Sequence, residues 1–297
     1  MDNLTHSLVG ALIGQAGLKR RTGLAMPALI IGANIPDIDA ACFFWLEGTQ
    51  HLAFRRGITH GPIAWVLLPL ILAGLLYGFD RWQARRGRRP EGRLPVRFGW
   101  LYALSLLATL THPALDWLNV YGIRLLEPFS SRWFYGDTLF IIDVWLWALL
   151  GISTWLSLRR EKRGENWRRV ARIALVVALA YISTNKVISW VMAATAPAAF
   201  ASPLPFASWQ REVIAHEDIN GWRIGGRMLG DCNLRQAIAG AGRNSDLDAF
   251  LFWSRAPFAE RAPDGSVLIR DARFTDPRAR DRFTVALPEV RCEELTP

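Results

Sequence analysis

Apolar runs of about the length a helix needs to cross a bilayer, roughly 20 residues, fill the first two thirds of the chain. The clearest are Ile58 to Phe79, Phe98 to Val120, Leu139 to Leu158 and Val170 to Met192. A fifth, Leu24 to Leu46, carries Asp37 and Asp39. None has the regularly spaced polar face of a soluble amphipathic helix. The opening run, Leu4 to Leu18, is shorter and rich in Gly and Ala, and it either spans, re-enters or lies in the interface. Its basic residues, Lys19-Arg20-Arg21, follow the apolar stretch, which excludes a cleavable signal peptide. The pattern predicts an all-α polytopic membrane helix bundle of five to six hydrophobic helices over residues 1–198. Beyond about Ala199 it changes to short runs such as Ser266 to Ile269 and Arg282 to Ala286, punctuated by turns like Pro263-Asp264-Gly265. This predicts a small soluble, mostly β domain over residues 199–297, with Pro197, Pro203 and Pro205 marking the linker.

Charge sharpens the picture. The 297 residues carry a net charge of +9, which by itself suggests a nucleic-acid partner. The excess, however, sits in two stretches: seven Arg against Glu91 between Arg81 and Arg97, and six Arg with Lys162 against Glu161 and Glu165 between Arg159 and Arg172. The rest is near neutral, so no nucleic acid is expected through the membrane domain. Short basic loops stay cytoplasmic, which orients the bundle and leaves the C-terminal domain extracytoplasmic, with a protein partner unknown. Arg55 and Arg56 fall on the outer side and weakly oppose this scheme. Many Trp, including Trp45, Trp82, Trp100 and Trp117, fall near span ends, where indoles favour the interface.

Ionisable residues inside spans are costly and mark function. They are His6, Asp37, Asp39, His60, His112, Asp116, Asp143 and Lys186. Counted from the nearest cytoplasmic basic residue, they lie at heights of roughly 20 to 31 Å, one layer near the outer leaflet. His112 and Asp116, at i and i+4, share a helix face and suit one ion. Asp37 and Asp39 cannot share a face at i, i+2, but Pro36 offers a break that turns both inward as ligands or general base. His with Asp and no thiolate suits zinc best, with manganese or ferrous iron as alternatives. The competing reading of these residues is helix-to-helix hydrogen bonding.

Other residues stay open between two roles. Asp143 is a site acid or a helix-terminal charge. Lys186 contacts an anionic substrate, pairs with Asp143, or snorkels outward. Arg124 and Arg132 bind head groups or are ordinary solvated charges. Thr5, Thr59 and Thr111 each precede a His and either support ligands or cap and pack helices. His51 and His216 are expected at the surface and Cys42 as a packed apolar residue. Cys232 and Cys292 fall in the exported domain, where a disulfide is permitted but not required.

Met1-Asp2-Asn3-Leu4-Thr5-His6-Ser7-Leu8-Val9-Gly10, Pro36-Asp37-Ile38-Asp39, Arg56-Gly57-Ile58-Thr59-His60 and Thr111-His112-Pro113-Ala114-Leu115-Asp116 occur in order. Tyr121-Gly122, Pro128-Phe129-Ser130 and Ile142-Asp143 follow them. This set resembles the YdjM-like predicted membrane-bound metal-dependent hydrolases, also described as LexA-binding and inner-membrane-associated. The resemblance implies a multi-pass bacterial inner-membrane protein with hydrolase activity. More distantly, the His112 and Asp116 pair is similar to helical ligand pairs of zinc-dependent phospholipase C, enzymes that draw on more His ligands. The leading expectation is a metal-dependent hydrolase acting on a membrane lipid or lipid-like phosphoester at the outer face. His6, His60, His112 and Asp116 would bind the ion, and Asp37 or Asp39 would complete the shell or deprotonate water. The alternative is a non-catalytic membrane scaffold or regulator with a structural polar cluster.

Overall fold

The computed structural model describes residues 1–196, 199–217, 221–278 and 280–293. Pro197, one of the expected linker prolines, lies outside them. The chain divides into two compact units, Met1–Asp39 with Arg56–Asn185, and Ala40–Arg55 with Lys186–Pro297.

The first unit is helical. Asp2 caps α1 (Asn3–Gln15), its carboxylate accepting from Thr5 N at 3.0 Å. A helical run then breaks in two, α2 (Ala25–Gly32) and a 3-10 segment (Ile35–Phe44), with a bend of 51° between them. A short helix α3 (His51–Phe54) and a 3-10 turn (Ile58–His60) lead to α4 (Pro62–Arg85), α5 (Phe98–Trp117), α6 (Val144–Lys162) and α7 (Trp167–Ala193). Missing side chains let α2 approach its neighbours. A Cβ on Gly10 would stand 2.5 Å from Leu29 O, and one on Gly32 would stand 3.1 Å from both Ser105 O and Ala108 Cβ. Small residues at such crossings are how helices pack where water supplies little driving force. One apolar cluster joins Leu12 of α1, Leu115 of α5, Leu146 and Leu150 of α6 and Ala171 and Ala174 of α7. Another joins Ala28 and Leu29 of α2, Ala73 of α4 and Leu101, Leu104 and Ala108 of α5.

Among the described residues two helices, Pro62–Arg85 and Trp167–Ala193, are long and apolar enough to cross a membrane, and the bent pair makes three if it is one span. The five to six hydrophobic helices expected from the sequence are therefore not all present in that form. α1 has 13 residues. The C-terminal half of α5 is diluted by Thr109, Thr111, His112 and Asp116, and α6 ends in Arg159, Arg160, Glu161 and Lys162. The run from Leu139 to Leu158 becomes helix only at Val144, because Asp143 caps it, accepting from Trp145 N and Leu146 N at 3.1 and 2.8 Å.

The second unit is built on two antiparallel sheets. The first runs β1 (Ala199–Leu204), β2 (Ala207–Glu217), β3 (Gly221–Ile224) and β4 (Arg227–Met228), in that order. The second orders β5 (Pro257–Arg261), β6 (Ser266–Asp271) and β7 (Thr284–Arg291), with α8 (Leu234–Gly240) and α9 (Ser245–Trp253) before it. Phe200, Ile214, Leu229 and Phe258 form its core. Ala40–Arg55 belongs with this unit: Thr49 N and Oγ1 donate to Asp246 Oδ1 and O at 3.1 and 2.8 Å. Cys232 and Cys292 form a disulfide, their Cα atoms 5.2 Å apart, and Cys42 is buried.

Candidate metal centre

Four donors converge in the first unit. Asp37, His60, His112 and Asp116 are buried and each offers a ligand atom within 4.8 Å of the other three. His60 Nε2 and His112 Nε2 are 3.2 Å apart. Asp116 Oδ2 stands 3.5 Å from each of those nitrogens. Asp37 Oδ1 stands 3.9 Å from His60 Nε2 and 3.8 Å from His112 Nε2. A tetrahedral ion with bonds of about 2.0–2.1 Å needs donors roughly 3.3–3.4 Å apart, so small side-chain movements would close this shell.

Local structure aims each imidazole. The break after α2 leaves the Ala33 carbonyl without a helical successor, and His112 Nδ1 donates to it at 2.6 Å. That bond places the proton on Nδ1 and leaves Nε2 as a bare acceptor facing the cluster. His60 Nδ1 donates to Thr59 Oγ1 at 2.9 Å, and Thr59 Oγ1 donates to Asp39 Oδ2 at 3.1 Å. Asp39 thus orients His60 from behind, 3.5 Å from its Nδ1, and it lies outside the group of four. Pro113 is carried inside α5, and His112 and Asp116 keep a common face.

His6 also reaches this place. Its ring stacks on His112 with centroids 3.8 Å apart, and its Nε2 is 3.4 Å from Asp116 Oδ1. It is fully buried, and among the described residues neither ring nitrogen makes a hydrogen bond, the Asp116 oxygen being only an ion-pair contact. A buried imidazole without partners is costly in a closed packing and fits a site that takes a cation. Arg56, a charge on the unexpected side of the sequence-based topology and the first residue of the motif that ends at His60, is 5% exposed and sits at the same carboxylate, Nε 3.1 Å from Asp116 Oδ2. The Met1 α-amino group donates to Asp116 Oδ1. Asn119, one turn beyond Asp116, accepts from Arg56 Nη1 at 3.0 Å. The sequence signal for Arg56 was its placement: a basic residue on the side where the charge pattern wanted none, four positions before His60.

The remaining candidates stand elsewhere. Asp143 caps α6 and accepts from Tyr181 at 2.9 Å. Arg124 lies over the Trp133 ring and 3.5 Å from Glu127, while Arg132 is exposed and lies over Phe134. Lys186 begins the second part of the second unit. Thr5 bonds Asp2, and Thr111 bonds Ala108 O within its own helix, so of the three threonines Thr59 alone is tied to the cluster by a bond described here. Asp231 lies beside Cys232 and Cys292, but the disulfide occupies both sulfurs.

A helical unit with two to three candidate spans, a β-sheet unit and a buried imidazole and carboxylate cluster able to hold a metal ion define a membrane protein with a candidate metal centre. The chain belongs to the YdjM inner membrane protein family, whose model matches residues 1–194. It is 28% identical over 167 residues to the uncharacterized protein YfhP of Bacillus subtilis (strain 168). That match covers 53% of this chain and 47% of the relative, about half the length of each. No solved structure matches it.

Proposed function

We propose that the chain is an integral inner-membrane hydrolase that uses a divalent metal ion, zinc by preference, to cleave a lipid or lipid-like phosphoester at the outer face. The observation that carries this reading is the convergence of four buried donors beside His6, an imidazole left without hydrogen bonds. Asp37, His60, His112 and Asp116 are assigned to hold the ion, with His6 adding its donor from the Asp116 Oδ1 side. When bound, such an ion supplies a water activated near neutral pH and polarises a phosphoryl oxygen. Asp39, through Thr59, keeps His60 in the productive tautomer. Asp37, at 8% exposure the most accessible of the four, would complete the shell or accept a proton from water. The His112 and Asp116 pair, similar to ligand pairs of zinc-dependent phospholipase C, supports phosphoester chemistry by analogy. The Arg-rich loops support a multi-pass bundle with the second unit outside, and the Cys232 and Cys292 disulfide agrees with an oxidising compartment.

The test is elemental analysis of detergent-purified protein together with phosphate release from phosphatidate-containing vesicles. Bound metal and chelator-sensitive release are expected. Metal-free protein with no loss of stability in chelator overturns the reading in favour of the scaffold.

A further inference from the structure

Arg56 touches both supports of the metal centre, Asp39 through its backbone and Asp116 through its guanidinium. Its backbone is the rare left-handed kind for a side-chain-bearing residue, φ 55°. Two hydrogen bonds pin that strained turn: Arg56 N donates to Asp39 Oδ2 at 2.8 Å, and Arg56 O accepts from Arg124 N at 3.0 Å. From there the guanidinium crosses the Tyr121 ring, 4.5 Å from its centroid. Nη1 donates to Asn119 Oδ1 and Gly122 O at 3.0 and 3.2 Å, which leaves Nε at Asp116 Oδ2, 3.1 Å away. Asp116 Oδ2 is also the oxygen facing His60 and His112. Asp116 Oδ2 thus stands between the guanidinium and the cluster, in ion-pair contact with Arg56 and without a hydrogen bond, so its lone pairs stay open toward the imidazoles.

We propose that Arg56 is the positioning residue of this centre: it holds Asp116 so that the carboxylate meets a divalent ion through one oxygen and not two. The inference rests on the metal reading above and concerns the geometry of coordination. Without the guanidinium, Asp116 is left with the Met1 amino group at Oδ1, and its carboxylate would turn to offer both oxygens and raise the coordination number of a bound ion. Because Asp39 N-terminal to the Ala40–Arg55 excursion bonds Arg56 at its other end, the same contact ties the imidazole support to the carboxylate support.

The experiment uses the full chain in detergent, loaded with Co2+ alone as a spectroscopic probe. The unaltered protein is expected to give the visible absorption of four- or five-coordinate cobalt, more intense than that of the six-coordinate ion. Arg56→Met is expected to keep cobalt with an affinity lower by about 10–100-fold, the usual effect of removing an outer-shell partner. Its visible absorption falls several-fold as the coordination number rises, and Arg56→Lys recovers part of it. Should Arg56→Met fail to fold, Asn119→Ala, which removes an acceptor of the guanidinium, gives the same shift at smaller amplitude. An unaltered spectrum and affinity in cobalt-loaded Arg56→Met overturn the proposal, as do unaltered spectra in both Arg56→Lys and Asn119→Ala. Failure of the unaltered protein to bind cobalt overturns the metal reading itself and this inference with it.

Discussion

Each unit buries an aspartate against an arginine, and the two pairs are built to opposite ends. In the second unit, Asp271 Oδ1 accepts from Arg273 N and Nε at 2.9 and 2.8 Å. Its Oδ2 accepts from Arg273 Nη2, Ser254 Oγ and Arg255 N at 2.7, 2.5 and 3.1 Å. The Arg273 guanidinium also covers the Trp253 ring. Both oxygens are fully used by the protein. In the first unit, Asp116 Oδ2 has ion-pair contact with Arg56 but no hydrogen bond, and it faces imidazole nitrogens that are acceptors in their bonded tautomers. Burial is equal, since both carboxylates are at most 1% exposed, so burial does not separate structural from functional ion pairs. Completeness of hydrogen bonding does: a closed network fastens a fold, and an open one keeps capacity for a ligand.

The largest expected effect breaks this comparison at its centre. His112→Ala or Asp116→Ala removes bound metal altogether while the protein stays in the membrane, as read by elemental analysis of the purified variant. Retained stoichiometric metal in both would make the open cluster another structural network. The mirror experiment is Asp271→Asn, which removes the carboxylate charge facing buried Arg273 and costs the second unit about 3–5 kcal/mol in denaturant unfolding. Its metal content is expected to be unchanged, and a fall in metal would dissolve the distinction between the units. Smaller still, Thr59→Val interrupts the bond from His60 to Asp39 and weakens metal binding by about 10-fold in a competition titration.

The smallest effect is one of pH. Burial alone would raise the Asp271 carboxyl, but Arg273 and the hydrogen bonds around it outweigh burial and hold it below the ordinary aspartate range. A depressed folded value means stability that is present above the unfolded pKa of about 3.9 and is lost as pH falls through the folded one. Acid unfolding of the second unit is therefore expected to be less steep in Asp271→Asn than in the unaltered protein. Equal slopes would show that this carboxyl does not set the acid limit.

Much of the site is legible in the sequence because its constraints are local. The i, i+4 spacing of His112 and Asp116 survives directly in α5, and the common depth of His6, Asp37, His60 and His112 corresponds to a real meeting place. The β-like runs of the tail likewise become β6 and β7. What periodicity cannot reach is long-range. Asp39 and Asp37 look equivalent until the bend sends one to the donors and the other to Thr59 and Arg56. Thr49 finds Asp246 across 197 residues, so no local pattern assigns Ala40–Arg55 to the second unit. Arg56 opens the motif that ends at His60, but its acceptors Asn119 and Gly122 lie 63 and 66 residues further on, beyond any local pattern.

The glycines under α2 carry one more consequence. Gly10 follows His6 by one helical turn, and Gly32 stands just ahead of the bend that delivers Asp37 and frees the Ala33 carbonyl for His112. A methyl group at either position would wedge α1 or α5 away from α2, by a distance comparable to the mismatch an ion can accept between its donors. The gauge of the centre is thus kept by two absent carbon atoms, and its tolerance to mutation is set at positions that have no chemistry of their own.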